Sequence, residues 1–247
     1  MPELEIKDLR CVFADGTEAL KGINVSFPQG QFAVICGANG CGKSVFAFHL
    51  NGLISPTKGL ITFGGQDIQK NLRNARKNIG LVFQDPDSQI IGQTARKDAA
   101  FGPQNLGYKK NIVDEKTETA LRTIGLWERR DERPHLFSGG EKRRLAIAGL
   151  LAMDSQVLVF DEPLSNLDYP GVRQALKSII DLHSEGRTII LITHDLSKVL
   201  AHADRLIVMN GGKIAADGNP EDLLDKLEEN GVRRPAAIAR EQMSWLK

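Results

Sequence analysis

A glycine-rich segment, GANGCGKS at residues 37–44, holds the first residues whose types and spacing could do chemistry. It matches G-x-x-x-x-G-K-[ST], with Gly37, Gly42, Lys43 and Ser44 at the fixed positions. Glycines let such a loop curl until backbone N–H groups converge on phosphate oxygens, while the lysine reaches the outer phosphates and the serine ligates Mg²⁺. The pattern predicts a nucleoside triphosphate site formed by Gly37, Ala38, Asn39, Gly40, Cys41, Gly42, Lys43, Ser44 and Val45.

Two acidic residues could supply the rest of a hydrolytic site. Asp161 and Glu162 end the apolar run VLVFDEP. Asp161 is predicted to hold Mg²⁺ together with Ser44, and Glu162 to orient or deprotonate the attacking water. Taken alone, the pair is also compatible with an acidic strand end in solvent, and the glycine loop with an ordinary turn. Together they predict hydrolysis of the bound nucleotide.

The segment FSGGEKRRLAIAG resembles the signature sequence, usually LSGGQ, of ATP-binding-cassette ATPases. Ser138, Gly139 and Gly140 precede a helical pattern, and such a helix N-terminus can bind an anion. The resemblance implies that this motif closes over the γ-phosphate of an ATP held by another subunit, in a head-to-tail dimer with two ATPs. Glu141 stands where the family usually has glutamine.

Further motifs of that family follow in the same order along the chain. Gln84 in FQDPDSQ resembles the glutamine that contacts Mg²⁺ and water, and SNLD at 165–168 resembles the loop that crosses the dimer. His194 in LITHD resembles the histidine that bonds the γ-phosphate and the water. Phe13 aligns with the aromatic that stacks on adenine, although an ordinary strand aromatic would look the same. Val45 replaces the usual threonine, so one hydroxyl contact to phosphate is lost.

One branch of the family is similar in more detail. The signature glutamate followed by KRRLAIAG, with FQDPDSQI and DAAFGPQNLG, resembles the ATPase subunits of energy-coupling-factor importers and of cobalt and nickel importers. The resemblance implies ATP hydrolysis that energises uptake of a vitamin or transition-metal ion through integral membrane T and S subunits, at the cytoplasmic face of the membrane. The dimer partner is a second copy or a different ABC ATPase. The cargo is not encoded in this chain.

Composition limits the other possibilities. With 32 Lys and Arg against 31 Asp and Glu, the net charge of +1 argues against a nucleic-acid partner. The start, MPELEIKD, has no secretory pattern, and no apolar run reaches the length of a membrane span. The three cysteines predict no disulfide framework. The alternative function is a soluble ABC-type ATPase of DNA repair, translation or cofactor assembly, whose usual coiled-coil insertions or doubled cassettes the sequence lacks.

The elements that must position these residues alternate between strand and helix patterns. QFAVIC, QVLVFD and RTIILIT are short apolar runs typical of central strands, whereas Ile23, Val25 and Phe27 alternate as in a half-buried strand. We predict an α/β P-loop NTPase core with a mostly parallel sheet, an N-terminal antiparallel β part and an inserted helical subdomain. The predicted division is an ABC ATPase domain at 1–230 and a C-terminal extension at 231–247. Within it, a RecA-like core takes 1–85 and 153–230, and the helical subdomain about 86–152.

Three smaller hypotheses concern residues beside these motifs. Asp85 and Asp87 form either an acidic contact for a basic coupling helix of the membrane subunit or a solvated turn. The basic tail with Trp245 and Leu246 is predicted to pack on the core or on the dimer partner, with a membrane surface as the weaker alternative. Cys41 is either a small filler or, at a helix N-terminus beside Lys43, a reactive thiol whose alkylation blocks the phosphate site.

Overall fold

The computed structural model describes residues 3–236 and 242–246. The strands in this part of the chain are β1 (Leu4–Val12), β2 (Glu18–Phe27), β3 (Phe32–Gly37), β4 (Lys58–Phe63), β5 (Gln66–Asp67), β6 (Ile79–Val82), β7 (Val157–Asp161), β8 (Thr188–Ile192), β9 (Arg205–Asn210) and β10 (Lys213–Gly218). The α-helices are α1 (Lys43–Leu50), α2 (Leu72–Asn78), α3 (Ala95–Asn105), α4 (Lys110–Thr123), α5 (Gly139–Ala152), α6 (Tyr169–Ser184) and α7 (Pro220–Leu223).

The N-terminal strands form an antiparallel sheet in the order β2-β1-β4-β5. Ile23, Val25 and Phe27 on β2 are all buried, which confirms the alternation predicted for this strand. Their buried face belongs to one apolar core that also takes in Phe46 and Leu50 of α1. This sheet thereby packs against the helix that follows the glycine-rich loop.

The second sheet has the order β10-β9-β3-β8-β7-β6, in which only the β10–β9 pairing is antiparallel. Every residue of β3, β7 and β8 is buried, because a parallel strand is covered by other elements on both faces. A second core, with apolar residues of α5 and α6, covers the face of this sheet away from α1. The predicted α/β fold with an N-terminal antiparallel part is confirmed.

Three helices, α3, α4 and α5, separate β6 from β7 along the chain and contact one another. This region coincides with the helical segment predicted for about residues 86–152. Its helices share the apolar core that covers the parallel sheet, with Leu121 of α4 and Leu145 of α5 both fully buried. The exact division into a core and a helical subdomain stays a prediction.

The end of the chain packs on the chain's own core. Met243 is 1 % exposed, and Ser244 Oγ lies 2.7 Å from His202 Nε2. The Trp245 ring lies 5.4 Å from the Tyr169 ring, and the Lys198 ammonium lies 4.8 Å from the centre of the Trp245 ring. The predicted packing of the tail on the core is therefore confirmed for 242–246. Within the predicted extension, residues 237–241 and 247 lie outside the described residues.

Among residues 3–236 and 242–246, the helices are all too short or too polar to cross a lipid bilayer.

Candidate functional site

The residues predicted to do chemistry follow four neighbouring strands of the parallel sheet. The glycine-rich loop follows β3, His194 follows β8, Asp161 and Glu162 lie at the end of β7, and Gln84 follows β6. Because β3, β8, β7 and β6 are adjacent and parallel, their carboxyl ends meet at one edge of the sheet. The structure thus brings together residues that are far apart in sequence, at the edge where open α/β sheets bind ligands.

Neighbouring backbone encloses the two ends of the glycine-rich loop, whereas Asn39 and Gly40 between them are exposed. A side chain at Gly37 would clash with the Met209 carbonyl oxygen, and one at Gly42 would place its Cβ 2.8 Å from the Ala19 carbonyl oxygen. Gly42 also has a φ of 101°, which favours glycine. Helix α1 begins directly after it, so its first N–H groups have no acceptors within the helix. The loop therefore presents backbone donors at a helix N-terminus, as a phosphate requires.

Lys43 is folded back into this loop. Its side chain is mostly buried, and Nζ donates to the carbonyl oxygens of Gly37 at 2.8 Å and Ala38 at 3.0 Å. An ammonium held by two neutral carbonyls gains further stabilisation when an anion arrives, because opposite charges add Coulomb attraction to the hydrogen bond. The loop therefore holds its cation in place before any phosphate binds.

Asp161 has the features of a magnesium ligand. The residue is 2 % exposed, and its Oδ1 lacks a hydrogen-bond partner among the described residues. Burial raises the pKa of Asp161, while a hydrogen bond from Ser44 acts in the opposite direction. A cation at this point would satisfy the orphaned oxygen and favour the ionised carboxylate. The carboxylate and hydroxyl oxygens of this pair are the donors that Mg²⁺ prefers, so the residues fit this ion.

Glu162 is held by several donors at once. Its Oε1 accepts from the His194 backbone N–H at 3.0 Å and lies 2.8 Å from His194 Nδ1, while Oε2 accepts from the Ser165 hydroxyl at 2.9 Å. The Thr193 hydroxyl lies 3.4 Å from Oε2. Glu162 also has a φ of 50°, a conformation that is costly for a non-glycine residue and is concentrated at functional sites. Its carboxylate is therefore fixed in one orientation by the surrounding fold.

The contact with Glu162 also determines which ring nitrogen of His194 carries a proton. A carboxylate can only accept a hydrogen bond, so Nδ1 of His194 carries the proton and a neutral ring keeps Nε2 as an acceptor. The His194 side chain is 62 % exposed, which leaves the ring accessible to a ligand at the strand ends. The structure thus pairs His194 with the carboxylate that is predicted to be the base, a contact that the sequence analysis did not foresee.

Two residues that the sequence did not single out support the segment around Gln84. Gln89 accepts from the Phe83 N–H at 3.0 Å and donates to the Leu81 carbonyl oxygen at 3.0 Å. Arg143 donates to the Gln84 carbonyl oxygen at 3.1 Å. The Gln84 side chain itself is exposed, so it is available to a ligand. The Gln89 contacts lie within one loop, six and eight residues apart, whereas the Arg143 contact is tertiary and has no signal in the neighbouring sequence.

The acidic residues beside Gln84 have partners inside the chain. Asp85 accepts from the Asp87 N–H at 3.1 Å and so begins the short turn that follows. Asp87 forms an ion pair with Lys142 of α5 at 2.6 Å. A basic partner helix would have to compete with Lys142 for Asp87, while the contact predicted for this acidic pair stays a prediction.

The signature residues lie at the start of α5. Ser138 caps this helix by accepting from the Glu141 N–H at 3.3 Å, and Glu141 accepts in return from the Ser138 N–H at 2.8 Å. Arg129 also binds Glu141, so the pKa of Glu141 is lowered by these bonds although burial acts to raise it. Glu141 therefore fixes the helix start. Ser138 and Gly139 are exposed there, accessible to a second molecule.

Phe13 lies in the turn between β1 and β2. Its backbone is held by hydrogen bonds with Thr17 and Gly16, while the side chain is 41 % exposed. A ring held on a short turn and open to solvent can stack on a flat base. Its predicted role against adenine stays a prediction.

Cys41 occupies a different environment from the one that predicts a reactive thiol. It is 5 % exposed and belongs to the apolar core between α1 and the N-terminal sheet. Its Sγ lies 3.9 Å from Lys43 Nζ, as the sequence suggested, but a reagent in solution cannot reach it. This burial argues against ready alkylation and favours the alternative of a small filler, while the reactivity of the thiol stays a prediction.

We expect all three thiols to be protected in the folded protein, because Cys11, Cys36 and Cys41 are all buried. Titration with a chromogenic disulfide should detect three thiols in denaturant and none rapidly in buffer. The Cys41→Ser variant should lose one thiol in denaturant and keep the native reaction rate. A fast native thiol that disappears in this variant would support the reactive-thiol hypothesis instead.

Comparison with known protein families identifies one match across the middle of the chain. The family described as ABC transporter matches residues 20–165, which include the glycine-rich loop, the signature segment and the acidic pair. These are the elements that the fold places around the strand ends and at the start of α5.

Individual relatives match over nearly the whole chain. The energy-coupling factor transporter ATP-binding protein EcfA of Methanocaldococcus jannaschii is 43 % identical over 228 residues, covering 91 % of this chain and 82 % of its own. EcfA of Carboxydothermus hydrogenoformans is 40 % identical over 238 residues, covering 95 % of this chain and 88 % of its own. Among solved structures, CbiO1 of Clostridium perfringens, part of the ABC transporter complex CbiONQ, has a TM-score of 0.81 at 36 % identity, covering 92 % of each chain.

Proposed function

Because the chain belongs to the ABC transporter family, among its energy-coupling factor ATP-binding proteins, we propose that it is the ATP-hydrolysing subunit of an energy-coupling factor importer. The observation that carries this proposal is the convergence of Lys43, Asp161, Glu162 and His194 at one edge of the parallel sheet. This set contains a phosphate-binding cation, an orphaned carboxylate oxygen, and a base paired with a histidine. A soluble ATPase without a membrane partner is the less favoured function.

In the proposed reaction, the triphosphate of ATP lies along the loop at the start of α1. Backbone N–H groups of the loop bind its phosphates, and the Lys43 ammonium exchanges its two carbonyl partners for phosphate oxygens. The ring of Phe13 stacks on adenine. When bound, Mg²⁺ neutralises phosphate charge; Ser44, Asp161 and Gln84 would hold it.

Glu162 is the general base in this proposal. Its carboxylate lies at the strand ends in a fixed orientation, and it takes a proton from the water that attacks the γ-phosphorus. His194 donates its Nδ1–H to Glu162 and offers the Nε2 lone pair to the attacking water, while a protonated ring would instead donate Nε2–H to the γ-phosphate. Positioning and electrostatic stabilisation supply most of the catalysis in phosphoryl transfer, so this fixed pair is the central feature.

The second half of each site is proposed to come from another ATPase subunit. Ser138, Gly139 and Gly140 lie exposed or half-exposed at the capped start of α5, ready to bind a γ-phosphate presented by a partner. The partner is a second copy of this chain or a different ABC ATPase. A head-to-tail pair would bury two ATPs between the subunits.

We further propose that the importer contains integral T and S subunits, with this chain held peripherally at the cytoplasmic face. A cavity of about 500 Å³ lies between α2, β6, α3 and α5. Three apolar side chains beside it, Leu53, Ile91 and Phe101, are between 46 % and 62 % exposed. A groove with exposed apolar walls fits a helix of a membrane subunit, and Gln89 and Phe83 connect its floor to the segment that carries Gln84.

The function can be tested in a reconstituted importer. The chain should be expressed with its T and S subunits, purified as a complex, and placed in proteoliposomes. We expect Mg²⁺-dependent ATP hydrolysis and uptake of the small molecule that co-purifies with the S subunit. Failure of the chain to retain T and S subunits when all are expressed together, with hydrolysis but no uptake, would instead favour the soluble ATPase.

Replacing Phe101 with glutamate should separate hydrolysis from assembly. A carboxylate in an apolar contact carries a desolvation cost, so we expect binding to the T subunit to weaken about tenfold or more. The isolated subunit should keep its ATPase rate, because Phe101 lies outside the strand-end site. Leu60→Glu is the matched control, since Leu60 is exposed on β4, outside the cavity lining. Equal co-purification of both variants would exclude the groove as the docking site.

A further inference from the structure

Arg143 connects two segments that carry predicted catalytic side chains. One guanidinium nitrogen donates to the Glu162 carbonyl oxygen at 2.7 Å, and the other donates to the Gln84 carbonyl oxygen at 3.1 Å. The residue is 3 % exposed. A planar guanidinium with donors in a fixed fork sets the separation of two acceptors more rigidly than a flexible ammonium does.

The three segments joined by Arg143 come from different parts of the fold. Arg143 lies on α5, whereas Gln84 follows β6 and Glu162 follows β7. The adjacent Lys142 makes a second connection, its ion pair of 2.6 Å with Asp87. The first turns of α5, which begin with the signature residues, are therefore fastened twice to the segment that carries Gln84.

Burying the Arg143 guanidinium carries a desolvation cost that works against the stability of the fold. Burial lowers the pKa of Arg143, while attraction to Glu162 and Asp85 acts in the opposite direction. The guanidinium Nε has no hydrogen-bond partner among the residues that the structure describes. A well-packed apolar side chain in such a position is often as stabilising as a buried charge. The arrangement is therefore better explained by the geometry that it imposes.

We propose that Arg143 is a positioning residue for ATP hydrolysis, which holds the main chain of Gln84 at a fixed distance from the main chain of Glu162. The inference rests on the proposed function, because it assigns Arg143 an effect on that reaction. Arg143 acts through the two backbone segments. A displacement of α5 would move both side chains together, so the helical segment and the catalytic base respond as one unit.

The test compares three variants by steady-state ATP hydrolysis. Arg143→Gln should lower kcat about tenfold or more, since a displacement of about 1 Å at a catalytic group can cost 10²-fold. The KM for ATP should stay within about twofold, because the loop with Lys43 is not touched. Arg143→Lys keeps the charge and can reach one or both carbonyls, so its kcat should lie between those of the parent and Arg143→Gln.

Arg144→Gln is the matched control for a general disturbance of α5. Arg144 is the next residue on the helix and donates instead to Gln174 on α6, and its Nε also lacks a partner in the described part of the chain. The folded fraction of each variant is measured by thermal unfolding, and each ATPase rate is divided by the concentration of folded protein. We expect Arg144→Gln to shift Tm without lowering kcat. Equal kcat values in Arg143→Gln and Arg144→Gln would overturn the proposal.

A double-mutant cycle keeps the proposal testable if Arg143→Gln folds poorly. Arg143→Lys is combined with Gln84→Ala, and we expect the two losses in kcat to be less than multiplicative, because both act on the position of Gln84. Multiplicative losses would show that Arg143 acts on kcat independently of Gln84, which would overturn the proposed positioning of Gln84. Absence of Mg²⁺-dependent hydrolysis by the parent chain, both alone and in its complex with membrane subunits and a second ABC ATPase, would refute the proposed function, a result distinct from hydrolysis that is indifferent to Arg143.

Discussion

Replacing Glu162 with glutamine is expected to lower kcat for ATP hydrolysis by about 10²–10⁴-fold, the range that a positioned general base contributes. Glutamine has nearly the same shape, and its carbonyl oxygen can still accept from the His194 N–H. It has no carboxylate that could take a proton from water. Phosphate binding depends on the Lys43 loop, which the substitution leaves intact, so ATP should still bind.

Single-turnover hydrolysis and equilibrium ATP binding are the measurements that separate these effects. The control is Glu141→Gln, a second partly buried glutamate that receives hydrogen bonds from a serine and an arginine. Glu141 caps α5, so its amide variant should lose some stability and keep turnover. A Glu162→Gln enzyme that hydrolyses ATP at the parent rate would mean that another group activates the water.

The residues at the strand ends could be predicted because their signals are local. A glycine-rich loop that follows an apolar run indicates a position just after a strand, and so does an acidic pair at the end of such a run. Parallel pairing then brings these ends to one edge of the sheet, whichever order the strands take. The sequence therefore indicated the site without the strand order.

Residues whose function depends on tertiary contacts could not be predicted in this way. Arg143 stands in a run of three basic residues, KRR, that is typical of a solvated helix face, yet the fold buries it between two carbonyls. Cys41 has the sequence neighbours of a reactive thiol and is buried under the N-terminal sheet. In both cases packing overrides what the neighbouring residues suggest.

The role of Glu141 had a local signal that could have been used. Ser138 and Glu141 have the S-x-x-E spacing of a capping box, which the structure contains in full. Glutamine would satisfy the same capping pattern, so the carboxylate is explained instead by its ion pair with Arg129, a reason that is independent of ATP. The family resemblance marks this residue as a substitution that is typical of one branch and gives no structural role for it.

Placing an aspartate at Gly139 should abolish turnover without unfolding the chain. The nearest heavy atom to an added Cβ is Leu167 Cδ2 at 3.8 Å, so there is space for the side chain. An acidic residue in the first turn of a helix is favourable, so α5 should be no less stable. The same charge would repel a γ-phosphate at this helix start. Gly139→Ala, which adds bulk without charge, should retain most of the turnover.

Mixing two inactive variants then decides whether the signature acts across a dimer. If copies of this chain pair head to tail, a dimer of Gly139→Asp with Glu162→Gln holds one site with both changes and one with neither. The intact site combines the parent Glu162 of the first copy with the parent signature of the second. Equal mixing should recover about a quarter of the parent rate, because about half of the dimers are mixed and each has one working site.

The recovered rate has a different value under each arrangement of the site. A signature that acted on the ATP of its own chain would leave every dimer inactive, since each copy then carries a defect in its only site. A mixture that stays inactive, although both variants bind ATP and pair in Mg·ATP, would therefore contradict head-to-tail pairing of identical copies. Activity regained only on adding a different ABC ATPase would instead identify a heterodimer, in which this chain supplies Ser138 and Gly139 to a partner's γ-phosphate.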